Sequence, residues 1–279
     1  MNLLTVTCDR DLEQMILQAE SINKFVVNPC RHWVFINEKN PDIEKWRSKL
    51  QHFYTRHELI FDVPDGPMHP QGWWSQQIYK ILMSEKIQDD YLVLDSKNFF
   101  INPTNIDEFK DKLGHSFKWK VDDKFWSKTI IHYCRKLQVE PSFDSIMYPW
   151  TPFLIKQSVI KEFGDLNQFA KWFLADPDNN IYYDKYMPSE FLFYSIVGQK
   201  HNLIRFNENE GLYDTIWPND YNKNDILFHI KKFNKKNTKM VGLHHKLLEQ
   251  LDDNEKTAIN LFLKESGLIT QLTFPDKQI

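Results

Sequence analysis

The sequence predicts an α/β fold with a mainly parallel central sheet flanked by helices. Over the first third of the 279-residue chain, short apolar runs alternate with amphipathic segments, about every 15 to 20 residues, which is the rhythm of strand–helix–strand units. Apolar residues make up 42% of the chain and aromatic residues 15%, and this content is enough to bury a sizeable core.

The N-terminal elements follow one another regularly. The apolar run LLTVT predicts a buried first strand at 3–7. Apolar residues at helical spacing predict a helix over 12–22, with Asp9 or Asp11 as its N-cap. The next predicted elements are a strand at 32–37, a helix at 41–53, a strand at 57–61, a helix at 73–86 and a strand at 91–94.

The alternation weakens after Asp95. The pattern over 122–137 fits helix and strand equally well, and neither an internal repeat nor a low-complexity linker is present. We therefore expect one domain over 1–279, with a regular half at 1–103 and an irregular half at 104–279. After Asp95, the predicted elements are strands at 98–101, 203–206 and 239–243, and helices at 104–113, 156–163, 166–174, 189–197 and 253–265, the last stopped by Gly267.

Glycine is scarce, and its positions exclude several enzyme classes. The chain has 8 glycines, where average usage gives about 20. The closest two, Gly66 and Gly72, are six positions apart, whereas dinucleotide fingerprints need glycines two apart and Walker A loops need them five apart. No G-x-S-x-G or H-E-x-x-H motif is present. A phosphate group would therefore be bound by side chains or a metal ion.

Charge and cysteine content limit the kinds of partner and the cell compartment that we expect for this protein. The net charge of −3 includes no basic excess, so no nucleic-acid partner is expected. Cys8, Cys30 and Cys134 are odd in number and widely spaced, which predicts reduced, mostly buried thiols. The N-terminus does not resemble a signal peptide, and the longest apolar stretch, at 191–197, is too short for a membrane span. We expect a cytoplasmic protein without a membrane span.

Acidic residues follow two predicted strands at the edge where open parallel sheets bind ligands. Asp9 and Asp11 come after the first strand, and Asp95 ends the apolar run of the fourth. A carboxylate at Asp95 can hold a divalent cation that bridges a diphosphate, or accept a hydrogen bond from a ribose hydroxyl. It can equally cap the next turn.

The helix before Asp95 carries amide and ammonium groups. Gln76, Gln77 and Lys80 share one helical face through three- and four-residue spacing, and they can reach a phosphate or sugar beside Asp95 or form a solvated face. The opposite face is predicted to pack on the sheet through Trp74, Ile78 and Leu82.

These segments resemble a family of GT-A-fold glycosyltransferases whose members are mostly uncharacterised. The resemblance rests on the helix pattern G-W-x-x-Q-Q-x-x-K, the strand ending L-D-S and the first strand LLTVT. It is clearest over 72–103 and weaker through TPFLIK at 151–156, PSEFLFY at 188–194 and VGLHHK at 241–246. It implies a GT-A-like fold, with 1–103 as the nucleotide-sugar half and 104–279 as the acceptor half.

The resemblance also implies an activity and a donor site. The activity is transfer of a sugar, of the hexosyltransferase type, from a nucleotide-sugar donor to a glycan or other hydroxyl acceptor. The first strand and its loop would hold the nucleobase and ribose, and Asp95 would be the first acid of a D-x-D motif that meets ribose and metal. The candidate donor-binding residues are Thr7, Asp9, Trp73, Gln76, Gln77, Lys80, Asp95 and Lys97.

The chain departs from the family pattern at Lys97. The pattern has a second acid there, and a lysine removes a hard oxygen ligand and adds positive charge. Either Lys97 neutralises the diphosphate directly, or Asp95 shares a Mn²⁺ or Mg²⁺ ion with a histidine, or the site only binds. His244 is the candidate second metal ligand, ahead of His245.

Catalysis needs a base for the acceptor hydroxyl or a group that stabilises positive charge at the anomeric carbon. Asp95 and Glu190 are the candidate catalytic residues. Glu190 begins an apolar helix, and these surroundings can raise the pKa of its carboxyl group. Alternatively, Glu190 has no catalytic role and only interacts favourably with the helix dipole. Reserve candidates are Asp184 and Asp214 for the carboxylate, and Trp73, Trp150 and Trp217 for stacking on a sugar.

Two other functions fit the same residues. A nucleotidyltransferase also places carboxylates at a strand end, but it usually needs two or more of them for its metal ions, and only Asp95 is evident. A non-catalytic protein of the same fold that binds a nucleotide sugar or glycan is the other alternative, and Lys97 favours it.

Overall fold

The structure, a computed structural model, describes most of the chain. The described ranges are 1–65, 72–110, 116–117, 126–140, 146–147, 151–175, 189–204, 212–216, 226–236 and 238–272.

Ten strands occur in these ranges, and five of them form the central sheet. Their bounds are β1 Asn2–Thr7, β2 Arg31–Ile36, β3 Glu58–Asp62, β4 Tyr91–Leu94, β5 Asn98–Phe100, β6 Ser116–Phe117, β7 Ile146–Met147, β8 Phe153–Ile155, β9 Tyr213–Ile216 and β10 Met240–Leu243. The central sheet has the order β3-β2-β1-β4-β8. Strands β1 to β4 are parallel to one another, and β8 is an antiparallel edge strand beside β4.

Helices cover both faces of this sheet. The α-helices in the described ranges are α1 Leu12–Phe25, α2 Ile43–Leu50, α3 Gly72–Leu82, α4 Ser127–Lys136, α5 Gln157–Ile160, α6 Leu166–Ala175, α7 Glu190–Lys200, α8 Ile226–Lys236, α9 His245–Leu248 and α10 Asp253–Glu265. Short 3₁₀ turns occur at Asp9–Asp11, Gln51–Phe53, Met83–Glu85, Ile106–Phe109 and Lys161–Phe163.

Successive side chains of the strands pack alternately in two separate hydrophobic cores, one on each face of the sheet. In β1, Leu3 joins the core that also contains α1 and α10, whereas Leu4 and Val6 join the core formed with α3, α6 and α7. This separation follows from the two-residue period of a strand, which sends successive side chains to opposite faces. The mainly parallel sheet flanked by helices, predicted from the sequence, is confirmed.

A second sheet lies against the turn that follows β4. Its order is β5-β10-β9, with β10 antiparallel to β5 and parallel to β9. Gly242 in β10 has no room for a side chain, because a Cβ atom there would lie 2.6 Å from Thr215 Oγ1 and 2.9 Å from Asn98 Nδ2. Glycine at this position therefore lets β10 lie close to Asn98, the residue that follows the turn after Asp95.

Several predicted elements of the second half are wrong in type or extent. The helix predicted at 104–113 is only the 3₁₀ turn Ile106–Phe109 within the described residues, because Thr104 forms an extended bridge with Val26. The strand predicted at 203–206 is absent at 203–204, where Leu203 N donates to Gly198 O at 2.8 Å and closes the end of α7. Residues 111–113 and 205–206 lie outside the described part.

Seven strands and helices of the described ranges were missed or left open. Helix α4 lies in the segment 122–137, whose pattern fits helix and strand equally well, and strands β6, β7, β8 and β9 and helices α8 and α9 were not predicted. Asp11 is the N-cap residue of α1, as expected, but its side chain makes no capping hydrogen bond. It accepts a hydrogen bond from Ser96 Oγ at 3.1 Å instead.

The cysteines and the lengths of the helices bear on two further expectations. Cys30 and Cys134 are buried and Cys8 is half-buried, and all three are free thiols. Within the described ranges, no helix combines the length and the apolar character that crossing a bilayer requires.

Candidate active site

The candidate site lies at the edge of the central sheet where the parallel strands end. Strand β1 ends at Thr7 and its neighbour β4 ends at Leu94, directly before Asp95. Helix α3 packs on β1 beside this edge, and Gln76 Nε2 donates to the carbonyl oxygen of Val6 at 2.9 Å. Ligand sites of open parallel sheets form at this edge.

A buried lysine lies between two carboxylates. Lys80 Nζ is 3.4 Å from Asp95 Oδ1 and 3.3 Å from Glu190 Oε1. The ammonium group also lies over the ring of Phe191, 4.9 Å from its centroid. The side chains of Lys80 and Glu190 are 5% and 1% exposed, whereas Asp95 is 20% exposed. Asp95 is therefore the carboxylate of this triad that solvent reaches.

Gln77 and Trp73 extend the cluster toward the surface. The hydrogen-bond network orients the Gln77 amide so that its nitrogen donates to both oxygens of Glu190, while its oxygen accepts from Trp73 Nε1 at 2.9 Å. Trp73 is 39% exposed. A chain of hydrogen bonds thus runs from an exposed indole to the buried carboxylate.

Lys97 supplies a second ammonium group. Its Nζ contacts Asp95 Oδ2, on the other side of the carboxylate from Lys80, and the Lys97 side chain is 15% exposed. Burial raises the pKa of Asp95, but the charges of Lys80 and Lys97 outweigh this effect and hold the pKa far below its usual range. Burial opposes the charged form of Lys80, but Asp95 and Glu190 raise its pKa above the ordinary value.

Glu190 behaves differently because it is the most deeply buried member. Burial raises the pKa of its carboxyl group from 4.5 to about 7, and the charge of Lys80 limits the rise. The charge of Glu190 therefore changes near neutral pH, while Asp95 stays ionised.

The raised pKa of Glu190 predicts a pH effect on stability. The folded carboxyl group binds a proton more tightly than the unfolded one, so its stabilising contribution is lost as the pH rises from 4.5 through about 7. Glu190→Gln lacks this titration. We therefore expect the difference in unfolding free energy between the variant and wild type to shift in favour of the variant as the pH rises from about 5 to about 8. Urea unfolding of both proteins across this range measures the difference. A difference that does not change with pH contradicts the assignment.

The loop after β1 is tied to helix α2. Asp9 Oδ1 accepts from Trp46 Nε1 at 2.8 Å, Asp9 Oδ2 lies 3.2 Å from Lys45 Nζ, and Asp9 N donates to Glu38 Oε1 at 2.6 Å. Thr7 is buried, and within the described residues its hydroxyl group has no hydrogen-bond partner. The structure therefore places both residues near the expected donor edge, with Asp9 already engaged by three groups.

His244 lies near the Asp95–Lys97 pair but is not part of a strand. It is the N-cap of α9, where its Nδ1 accepts from Lys246 N at 3.2 Å. Burial and the charge of Lys97 lower the pKa of His244 to about 4, and Asp95 acts in the opposite direction. The rings of His244 and His245 stack with centroids 4.5 Å apart.

A metal ion finds few ligands here. In the described ranges, no three His, Cys, Asp or Glu side chains are grouped so that they can hold one ion. Both oxygens of Asp95 face ammonium groups instead.

Gln18 supports the site from the opposite face of the sheet. Its Nε2 donates to the carbonyl oxygens of Asp95 at 2.8 Å and Asn98 at 2.7 Å, and its Oε1 accepts from Thr5 Oγ1 at 2.8 Å. Asn98 Oδ1 in turn accepts from Asp95 N at 2.8 Å. These positioning groups were not predicted, although Gln18 is a polar residue on the apolar face predicted for α1.

Of the reserve candidates, Trp73 lies in this cluster, and the others form a separate ion pair or lie outside the described residues. Asp214 in β9 pairs with Lys232 Nζ at 2.5 Å. Asp184, Trp150 and Trp217 lie outside the described part of the chain.

Comparisons with known proteins agree on the fold. The family model DUF6492, described as a family of unknown function, matches residues 2–237. Galactosyltransferase LgtC in complex with donor and acceptor sugar analogs is similar with a TM-score of 0.53 and 12% identity, over 99% of this chain and 98% of that one. An active-site mutant of LgtC gives 0.52 and 11%, over 87% of each chain. The bifunctional glycosyltransferase WbbM gives 0.50 and 13%, over 87% of this chain and 45% of that one. A search of curated proteins gives no match.

Proposed function

The chain belongs to DUF6492, a family of unknown function, and we propose that it transfers a sugar from a nucleotide-sugar donor to a hydroxyl group of an acceptor. The similarity of its fold to glycosyltransferases supports this class of reaction. The observation that carries the proposal is the Lys80–Asp95–Lys97 cluster at the edge where strands β1 and β4 end.

The donor's diphosphate is assigned to the partly exposed side of this cluster. Asp95 and Lys97 are 20% and 15% exposed, so an incoming anion meets Lys97 before it meets Lys80. The phosphate oxygens are matched by ammonium groups, which form strong charge-assisted hydrogen bonds. Trp73 and Gln76, on the same helix as Lys80, are assigned to orient the rest of the donor.

Glu190 is assigned to the layer behind the donor. Its side chain is 1% exposed and contacts Lys80 and Gln77, so its burial favours a positioning role over direct contact with an acceptor. In that role it holds Lys80 in line with Asp95. Its charge change near neutrality also sets the net charge that the donor meets.

A non-catalytic protein that binds a nucleotide sugar is the second candidate function. The contact of Lys97 with Asp95 favours it, because a carboxylate engaged by two ammonium groups is less available for chemistry. Donor binding without turnover is the result that distinguishes this candidate from an enzyme.

Thermal unfolding with a panel of nucleotide sugars tests the proposed function. One donor is expected to raise the melting temperature, because a ligand present at about 100 times its Kd stabilises a folded protein by about 2.7 kcal/mol. The matching nucleoside and the free sugar, tested alone, are the control ligands and are expected to stabilise less. A panel in which no nucleotide sugar stabilises the protein contradicts the proposal.

A further inference from the structure

Asp95 is surrounded by positive charge at the position where a D-x-D motif would place a metal ion. Lys80 lies 3.4 Å from Oδ1, and Lys97 contacts Oδ2. A divalent cation prefers several oxygen ligands around it, and two ammonium groups beside the same carboxylate repel it. The residues present therefore do not suit such an ion.

The neighbouring histidine does not complete a metal site either. His244 Nδ1 is engaged by Lys246 N at 3.2 Å. The backbone N of Leu243, the residue before His244, donates to Lys97 O at 3.1 Å, and Lys97 Nζ contacts Asp95 Oδ2. A metal ion bound to both His244 and Asp95 would therefore have to displace Lys97 from Asp95.

Lys97 is held in place by its backbone. Its carbonyl oxygen accepts from Leu243 N at 3.1 Å, and the turn that carries it is closed by the hydrogen bond between Asp95 N and Asn98 Oδ1, at 2.8 Å. Gln18 Nε2 donates hydrogen bonds to the carbonyl oxygens at both ends of this turn, those of Asp95 and Asn98. A side chain with a fixed base loses less conformational freedom when it binds a ligand.

We propose that the ammonium group of Lys97 takes the place of the divalent cation, so that this protein binds the diphosphate of its donor without a metal ion. The proposal rests on the proposed function, since it concerns the donor of that reaction. In this arrangement Lys97 faces the phosphate oxygens, and Asp95 holds the ammonium group of Lys97 in position. Lys80 balances the charge of Asp95 from the buried side of the cluster.

The test is a calorimetric titration with uridine diphosphate and guanosine diphosphate, in EDTA and in Mn²⁺. Wild-type protein is expected to bind one of them with Kd values that agree within about twofold in the two buffers. Lys97→Met is expected to bind about 10- to 100-fold more weakly, the loss of one charge-assisted hydrogen bond. Lys86→Met, which alters an exposed pair with Asp62, is the control and is expected to bind like wild type.

A third variant and the opposite outcomes complete the test. Lys97→Asp restores an acid two positions after Asp95, and it is expected to bind only when Mn²⁺ is present. Wild-type binding that needs Mn²⁺, or unchanged binding by Lys97→Met, overturns the inference and leaves the proposed function standing. If neither nucleotide binds in either buffer, the inference and the proposed function are both overturned. The wild-type comparison remains decisive if a variant fails to fold.

Discussion

Lys80→Met is expected to lower the free energy of unfolding by about 3 to 5 kcal/mol, the usual loss when one partner of a buried ion pair is removed. Methionine fills much the same space, so the loss comes from charge. Without the ammonium group, the charged form of Glu190, 1% exposed, has no positive charge against it, and its pKa rises above the value of about 7 that Lys80 limits. The loss is therefore expected to grow as the pH rises above about 7, and chemical denaturation at about pH 7 and about pH 9 measures it.

Lys86→Met is the matched control for this prediction. Lys86 also pairs with a carboxylate, at 2.7 Å from Asp62 Oδ2, but its side chain is 41% exposed. Exposed pairs contribute about 1 kcal/mol or less, so this variant is expected to lose little stability. An equal loss in both variants contradicts the electrostatic account of Lys80.

A double variant separates charge from packing. Adding Glu190→Gln to Lys80→Met removes the unpaired carboxylate while Asp95 keeps Lys97. The double variant is expected to recover at least about 1 kcal/mol, because coupled buried partners have interaction energies of about 0.5 to 3 kcal/mol. No recovery would show that the methionine itself disturbs the packing.

The sequence predicts the N-terminal half of the fold well because that half follows simple periods. Strands β1 to β4 are short apolar runs, and α1 to α3 are amphipathic segments between them. The second half depends on long-range contacts instead. Strand β8 is three residues long and exists as a partner for β4, and β9 pairs with β10 from a distant part of the chain.

The site was only partly predictable for a similar reason. Two patterns in the sequence indicate a functional site at one edge of the central sheet. They are the spacing of Gln76, Gln77 and Lys80, and the position of Asp95 directly after a strand. The spacing places Lys80 on a face of α3 that can be exposed, whereas the structure buries it between Asp95 and Glu190. That burial requires α7 to pack beside α3, a contact between segments far apart in the chain.

Asp95→Asn is the second large effect that we expect. Asparagine keeps the shape of the side chain and its turn, and it removes the charge that holds Lys97 in position. Loss of a preorganised electrostatic group lowers kcat by about 10² to 10³-fold in other enzymes, and we expect a decrease of this size. The fold is expected to persist, because Lys80 retains Glu190 as a partner.

Asp62→Asn is the matched control for Asp95→Asn. Asp62 is likewise at the end of a parallel strand and pairs with a lysine, and its side chain is 16% exposed compared with 20% for Asp95. It lies on edge strand β3, away from the Lys80–Glu190 pair. Its replacement is therefore expected to leave turnover within about twofold of wild type.

The rate of nucleoside diphosphate release from the stabilising nucleotide sugar, measured for wild type and these two variants, tests the central claim most directly. The account predicts release by wild type and Asp62→Asn at similar rates, and release at least about 100-fold slower by Asp95→Asn. Equal rates for Asp95→Asn and wild type would contradict the placement of the active site at this cluster.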